Sequence, residues 1–371
     1  MNIDELATPA FLVDMDILES NLRGVSELCR KHEKKLFPMT KTHKSVDIAA
    51  LQLEYGADGF LTGTLDEAEM LMELGKPIML AYPFAGEENV RRIVRMAKSR
   101  RLILSLDSFE TAAAYDKAFS ECGVRAKYLL ITDVGFGRFG VAPDAAGEMV
   151  ERISDACDTL EFAGIASHPG QVYGCTEHSQ LGAVANASHK AFEDAVNSLK
   201  KYGFAPKIVA AGSTPTIQWD VLSPLITHIR PGNYVYNDVI QIALGAAKED
   251  NCAMTVLAAV IAMHDGKLML DCGSKCLGLD KGAHTNDSIV GYGRIKGHDE
   301  LTIYALSEEV AKVKINGTAE LKVGDKVSVI PNHACAAANM TSWIIGVRGN
   351  EVERIIENNM RGNSKKPRIL I

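Results

Sequence analysis

Between residues 36 and 230, short apolar runs alternate with longer segments of helical period, a rhythm that few folds accept. A strand, a helix and a second strand in succession return the chain parallel to itself, so the repeat builds a parallel sheet covered by helices. The strand candidates are residues 35–40, 59–61, 78–80, 102–106, 128–132, 162–166, 208–210 and 227–230. Eight of them suit a (β/α)8, TIM-like barrel of the α/β class, whose reactive groups gather at the C-terminal ends of the strands. A doubly wound sheet is the other topology this pattern leaves open.

After about residue 245 the helical period fades. Runs such as TVLAAVIAM, KLMLDCG, DELTIYAL, KVKI, KVSVIP and SWIIGVRG are separated by Gly, Asp and Asn turn signals, which predicts a β-rich second domain. The expected division is residues 1–245 for the barrel and 246–371 for the β domain, with LGAAKEDN at the junction and the first 14 or so residues free to join the second domain. The closing GNSKKPRILI reads as a loose tail or a late edge strand. A length of 371 residues is enough for both units.

Composition narrows the function classes. Forty Lys and Arg against 47 Asp and Glu give a net charge of −7, so no positive field is available to hold a nucleic acid backbone. No apolar run approaches the roughly 20 residues needed to cross a bilayer. The opening MNIDELATPA has neither the basic start nor the apolar stretch of a secretion signal, and a cytoplasmic location is expected. Eight scattered cysteines without a CxxC pair predict reduced thiols; Cys272 and Cys276, four apart, read as buried side chains before metal ligands.

Four clusters could carry chemistry. Lys41-Thr42-His43-Lys44 follows the first strand candidate, where a lysine amine can enter the barrel mouth and form a Schiff base; a solvated basic loop is the alternative. Of the two lysines, Lys41 is expected at the mouth, because Lys44 should already be entering the next helix and turning away. Asp133 to Gly140 is a Gly-rich loop with one arginine, Arg138, able to grip an anionic oxygen, or a plain turn. Gly135, Gly137 and Gly140 meet the bare GxGxxG spacing, but the loop follows the fifth strand and no acidic residue closes the next one, which argues against a dinucleotide site. Gly212-Ser213-Thr214-Pro215-Thr216 is a helix start that could take a phosphate, or an ordinary cap. His333 and Cys335 would share a face of an extended segment and could hold one cation in an open site, or be a surface His beside a buried Cys.

In this order the clusters resemble the fold-type III pyridoxal-phosphate enzymes, specifically the D-serine dehydratase and D-threonine aldolase family. The resemblance runs through Thr8-Pro9-Ala10, the KTHK motif, Asp133 to Gly140, His168-Pro169-Gly170-Gln171-Val172-Tyr173-Gly174 and Gly212 to Thr216. It continues through Arg230-Pro231-Gly232-Asn233-Tyr234-Val235-Tyr236-Asn237-Asp238, Leu270-Asp271-Cys272-Gly273-Ser274-Lys275 and Pro331-Asn332-His333-Ala334-Cys335.

The resemblance implies an alanine racemase-like architecture that binds pyridoxal phosphate in the barrel. Lys41 matches the lysine bearing the cofactor and Arg138 the arginine at its phenolate oxygen. Tyr173 would lie against the pyridine ring, Gly212, Ser213 and Tyr234 near the phosphate, and His333 and Cys335 would hold a divalent metal, zinc first, then manganese or magnesium. The implied activity is a lyase on β-hydroxy-D-amino acids, with D-serine dehydration to a 2-oxo acid and ammonia ahead of a D-threonine or 3-hydroxyaspartate aldolase. His-x-Cys, where the aldolases are associated with His-x-Asp, favours dehydration. An amino-acid racemase and a non-catalytic cofactor carrier come after these. Partners would be a small amino acid and a second copy in a homodimer. Two departures stand out: Phe37-Pro38-Met39 replaces the family's Arg-Pro-His, and Ala336-Ala337-Ala338-Asn339 replaces Pro-Thr-Val-Asn.

Overall fold

A computed structural model of the chain describes residues 1–281 and 289–362; the expected tail from residue 363 onward lies outside them. Strand β1 (Ala10–Asp14) leads into the helix Met15–Lys31, capped by the Asp14 carboxylate, which accepts the Ile17 N–H at 3.0 Å. Eight strands follow: β2 (Lys35–Leu36), β3 (Phe60–Thr62), β4 (Ile78–Leu80), β5 (Leu102–Leu106), β6 (Ala126–Ile131), β7 (Leu160–Ala166), β8 (Ile208–Ala211) and β9 (His228–Ile229). All pair in parallel in the order β2-β9-β8-β7-β6-β5-β4-β3.

The sheet closes on itself. Just beyond β2, Met39 bridges Leu61 of β3 in parallel, and the Leu61 N–H donates to the Pro38 carbonyl at 2.9 Å. This is the TIM-like barrel of the sequence reading rather than the doubly wound alternative. Phe37, Leu61, Met79, Leu129, Ala163, Ala166 and Ala210 form a core of their own, separate from the larger cluster beneath the helices. A strand buried on both faces has no polar side to show, which is why these runs are mostly apolar, with the charged Lys127 and Glu161 near the strand starts.

The expected first strand, 35–40, is shorter in the structure. Pro38 has no N–H for the ladder, and the chain turns at once into the one-turn helix Thr40–Thr42.

The C-terminal domain holds β10 (Met254–His264), β11 (Lys267–Leu270), β12 (Arg294–Ile295), β13 (Leu301–Leu306), β14 (Ala311–Ile315), β15 (Lys326–Ile330), β16 (Trp343–Arg348) and β17 (Glu351–Glu357). The apolar runs of the sequence reading fall on six of these; β12 and β17 were not among them. β12 is two residues long, and β17, EVERIIE, has one buried position, Ile356, in a run that is more than half charged. β1 lies between β10, antiparallel, and β16, parallel, so the N-terminal strand belongs to this sheet. Among the described residues no helix is long and apolar enough to cross a membrane.

Candidate active site

The C-terminal ends of the barrel strands open on a cavity of about 540 Å³, whose far wall is the His333–Cys335 segment of the second domain. Lys41, Arg138, Tyr173, Gly212, Ser213, His333 and Cys335 all line it. Tyr234 does not. Its side chain is buried in the larger cluster beneath the helices, its hydroxyl accepts from Gln52 Nε2 at 3.1 Å, and its backbone N–H donates to Thr214 Oγ1 at 3.0 Å.

Lys41 sits on the Thr40–Thr42 turn, not on a strand. The turn is held from below by Glu67, a fully buried carboxylate that accepts from Thr40 Oγ1 at 2.8 Å, Gly63 N at 2.9 Å and Thr64 Oγ1 at 3.0 Å. The Lys44 ammonium completes that cluster at 2.9 Å from Glu67. Lys44 is indeed away from the mouth, for a different reason than a helix start. It takes a left-handed φ of 52° two residues before the helix Val46–Glu54, and its charge is spent on Glu67.

The loop bearing Arg138 is wound around Asp133, whose Oδ1 accepts the N–H groups of Gly135, Phe136 and Gly137 at 2.9, 3.0 and 3.1 Å. Gly140 ends it at φ 112°, where a Cβ would lie 2.6 Å from Asp133 N. Arg138 is left between two rings, its guanidinium carbon 4.9 Å from the Phe136 centroid and 5.5 Å from that of Phe139. At the opposite end Gly212, at φ 130°, brings the chain so close to Arg230 that a Cβ would stand 2.9 Å from Arg230 N. Ser213 begins the next turn, but its N–H is given to Thr216 Oγ1 at 3.2 Å.

Three cavity residues belonged to the sequence motifs without having been assigned a role. His168 Nδ1 lies 3.3 Å from the Gly212 carbonyl, so it is the protonated nitrogen of a neutral ring. Arg230 ends β9, donates to the Ser167 carbonyl and is held down to about 10 by burial. Its Nε and Asn233 Oδ1 are buried without a protein partner, as befits walls built for a polar ligand. An arginine closing a barrel strand ahead of Pro231-Gly232 is the sequence signal for the first of these. Asp280, in contrast, lies in a Gly-Leu-Asp-Lys loop without any motif.

The metal-pair candidates meet the lysine turn directly. Cys335 Sγ is 3.2 Å from Thr42 Oγ1, and His333 Nδ1 is 2.7 Å from Asp280 Oδ2. The strand-like spacing holds only in part, since Cys335 already belongs to the short helix Ala334–Ala338. Burial would raise the Cys335 thiol, but the His333 charge and hydrogen bond, with Lys41 and Thr42 behind them, bring it below its ordinary value; the same pairing lifts His333 well above its own against the pull of burial. From behind, Asp238 accepts from Asn233 Nδ2 at 2.5 Å and from the Ala334 N–H at 2.9 Å, bolting this segment to the barrel.

Burial keeps three imidazoles neutral: His43 at about 3, His228 at about 4, and His168 well below 6.5, the last also pressed by the charges of Lys41, Arg138 and Arg230. Their folded values lie below the unfolded 6.5, so the stabilisation is complete above that pH and is lost as pH falls toward the folded values. With up to three extra protons on the unfolded chain, the cofactor-free protein should lose stability with a slope approaching about 3–4 kcal/mol per pH unit near pH 5. Urea midpoints at pH 7, 6 and 5 measure this, and a constant midpoint would contradict it.

Residues 13–239 match the alanine racemase N-terminal domain family, and residues 253–347 a putative serine dehydratase domain. D-serine dehydratase of Dictyostelium discoideum is 28% identical over 92% of this chain and 93% of its own length. The D-threo-3-hydroxyaspartate dehydratase from Delftia sp. HT23 superposes with a TM-score of 0.86 at 25% identity, covering 96% of this chain and 98% of that one. A cysteine-to-alanine variant of it has been solved in a metal-free form. D-threonine aldolase from Filomicrobium marinum shares the fold at a TM-score of 0.89 and 24% identity over 98% of both chains.

Proposed function

Because the chain belongs to the fold-type III pyridoxal-phosphate family, we propose that it is a divalent-metal-dependent lyase of β-hydroxy-D-amino acids, foremost a D-serine dehydratase. The observation that carries this reading is the 3.2 Å contact between Thr42 and Cys335, which sets the lysine turn and the imidazole–thiol pair on one cavity.

The residues suit the cofactor: a lysine on a braced turn, an arginine for an anionic oxygen, a glycine whose missing Cβ lets the chain come close, and unpartnered buried polar atoms on Arg230 and Asn233. Lys41 would bear it, Arg138 would face its phenolate oxygen and Tyr173 its ring, while Gly212 and Ser213 would take the phosphate. Tyr234 would serve that end through its backbone, by fixing Thr214. The His333 imidazole and the Cys335 thiol, lowered by its neighbours, are a donor set suited to zinc. Pyridoxal phosphate, when bound, supplies the electron sink for a Cα carbanion, and the metal the Lewis acid for a departing hydroxyl.

The protein's own share is proton handling and shape. Lys41 Nζ would take the Cα proton. Arg138, fixed over two rings, would orient the ring system, and the neutral His168 would donate only to Gly212, leaving no acidic proton on its other nitrogen. Asp238 would keep the ligand segment at its distance from the barrel. We place the enzyme in the cytoplasm as a homodimer, in keeping with eight unbridged cysteines among the described residues.

Incubation with D-serine, D-threonine and D-3-hydroxyaspartate tests the assignment. Pyruvate and ammonia from D-serine are expected; glycine with an aldehyde would move the reading to an aldolase, inverted amino acid to a racemase, and no product at all to a cofactor carrier. Full turnover after exhaustive EDTA treatment would remove the metal from the mechanism.

A further inference from the structure

We infer that Asp280 is the positioning residue of the metal site: it turns the His333 imidazole so that Nε2, not Nδ1, is presented to the cation. The inference rests on the metal reading of His333 and Cys335 and goes beyond it. Asp280 Oδ2 stands 2.7 Å from His333 Nδ1, and a carboxylate only accepts, so Nδ1 is the nitrogen that donates to Asp280 and Nε2 is the one left for a cation. Asp280 borders the same cavity as the pair. Among the described residues Asp280 is not gathered with His333 and Cys335 into a three-ligand group, which fits an orienting carboxylate better than a third ligand.

The loop is built to hold it there. Gly278 takes φ 77°, a conformation that favours glycine, and a Cβ on it would press on the carboxylate at 3.0 Å from Asp280 Oδ1. Asn332, next to His333, donates to the Gly291 carbonyl at 2.9 Å and reaches the Asp280 carbonyl at 3.5 Å, joining the loop to the ligand segment. A carboxylate on the outer nitrogen of a ligating imidazole fixes its tautomer and raises its basicity, and losing such a partner typically weakens metal binding by about 10–100-fold.

The test is Co²⁺ titration of the metal-depleted, cofactor-loaded protein, followed by the thiolate-to-cobalt absorption band. D280A should bind Co²⁺ about 10–100-fold more weakly, with the cofactor's visible absorbance unchanged, and D280E should recover much of the loss. If D280A does not fold, the near-isosteric D280N decides: weaker binding supports the inference, parental affinity overturns it. Parental affinity and band in D280A would overturn it as well. H333A and C335A are run beside these; if both bind Co²⁺ as the parent does, the metal reading itself fails, whereas if both lose it and D280A does not, only the role of Asp280 falls.

Discussion

Replacing Lys41 with alanine should strip the purified protein of covalently held pyridoxal phosphate and lower turnover by at least about 10²- to 10⁴-fold, the range a positioned proton-transfer group supplies. Among the described residues Lys41 is the one lysine that borders the cavity, on a turn whose position is set by Thr40 and Glu67. Lys44→Met is the contrasting variant. It removes one partner of a buried ion pair, which costs about 3 kcal/mol of stability, yet it should leave the cofactor attached. Borohydride fixing and peptide mapping distinguish the two, and cofactor fixed to any lysine of the Lys41→Ala protein would refute the assignment.

Cys335→Ala should lose the metal and most of the lyase turnover while keeping the cofactor's absorbance. A Lewis acid on the departing hydroxyl is worth several kcal/mol, so a fall of about 10³-fold is expected at 1.36 kcal/mol per decade. The two effects separate because the hydrogen bond from Cys335 to the lysine turn goes to Thr42, and that turn has its own brace in Glu67. Metal analysis beside activity measures both; stoichiometric zinc or manganese in an active Cys335→Ala protein would sink the ligand role.

The barrel was legible because a strand buried on both faces is apolar nearly throughout, as the runs from Leu102 to Leu104 and Phe162 to Ala166 are. The short ends were harder to read. β2 stops at Leu36 on account of Pro38, and β9 is two residues long, so closure depends on a bridge at Met39 and a few backbone hydrogen bonds that no local pattern announces. At the site, the lysine turn and the Gly-rich loop could be named as candidates because they follow strand candidates, while their roles came from the family resemblance. What could not be read were groups that act across long sequence separations: Glu67 beneath Thr40, Asp238 against the Ala334 amide, and Asp280 on His333. A lone acidic residue in a loop has no period or spacing, and its partner exists only once the two domains meet. The substitution of Phe37 and Met39 for polar residues does have an address, the apolar core inside the barrel, with Met39 reaching the cavity floor.

The placement of β1 bears on how the polypeptide is made. Val13 pairs with Met254 and Leu12 with Ile345, so the strand leaves the ribosome about 240 residues before its first sheet neighbour and about 330 before its second. At roughly 5–20 residues per second, the apolar Phe11, Leu12 and Val13 wait on the order of 10–50 s with both edges open. This strand is therefore made well before the sheet that buries it, and a barrel that has already formed still carries an unpaired apolar strand until β10 and β16 arrive.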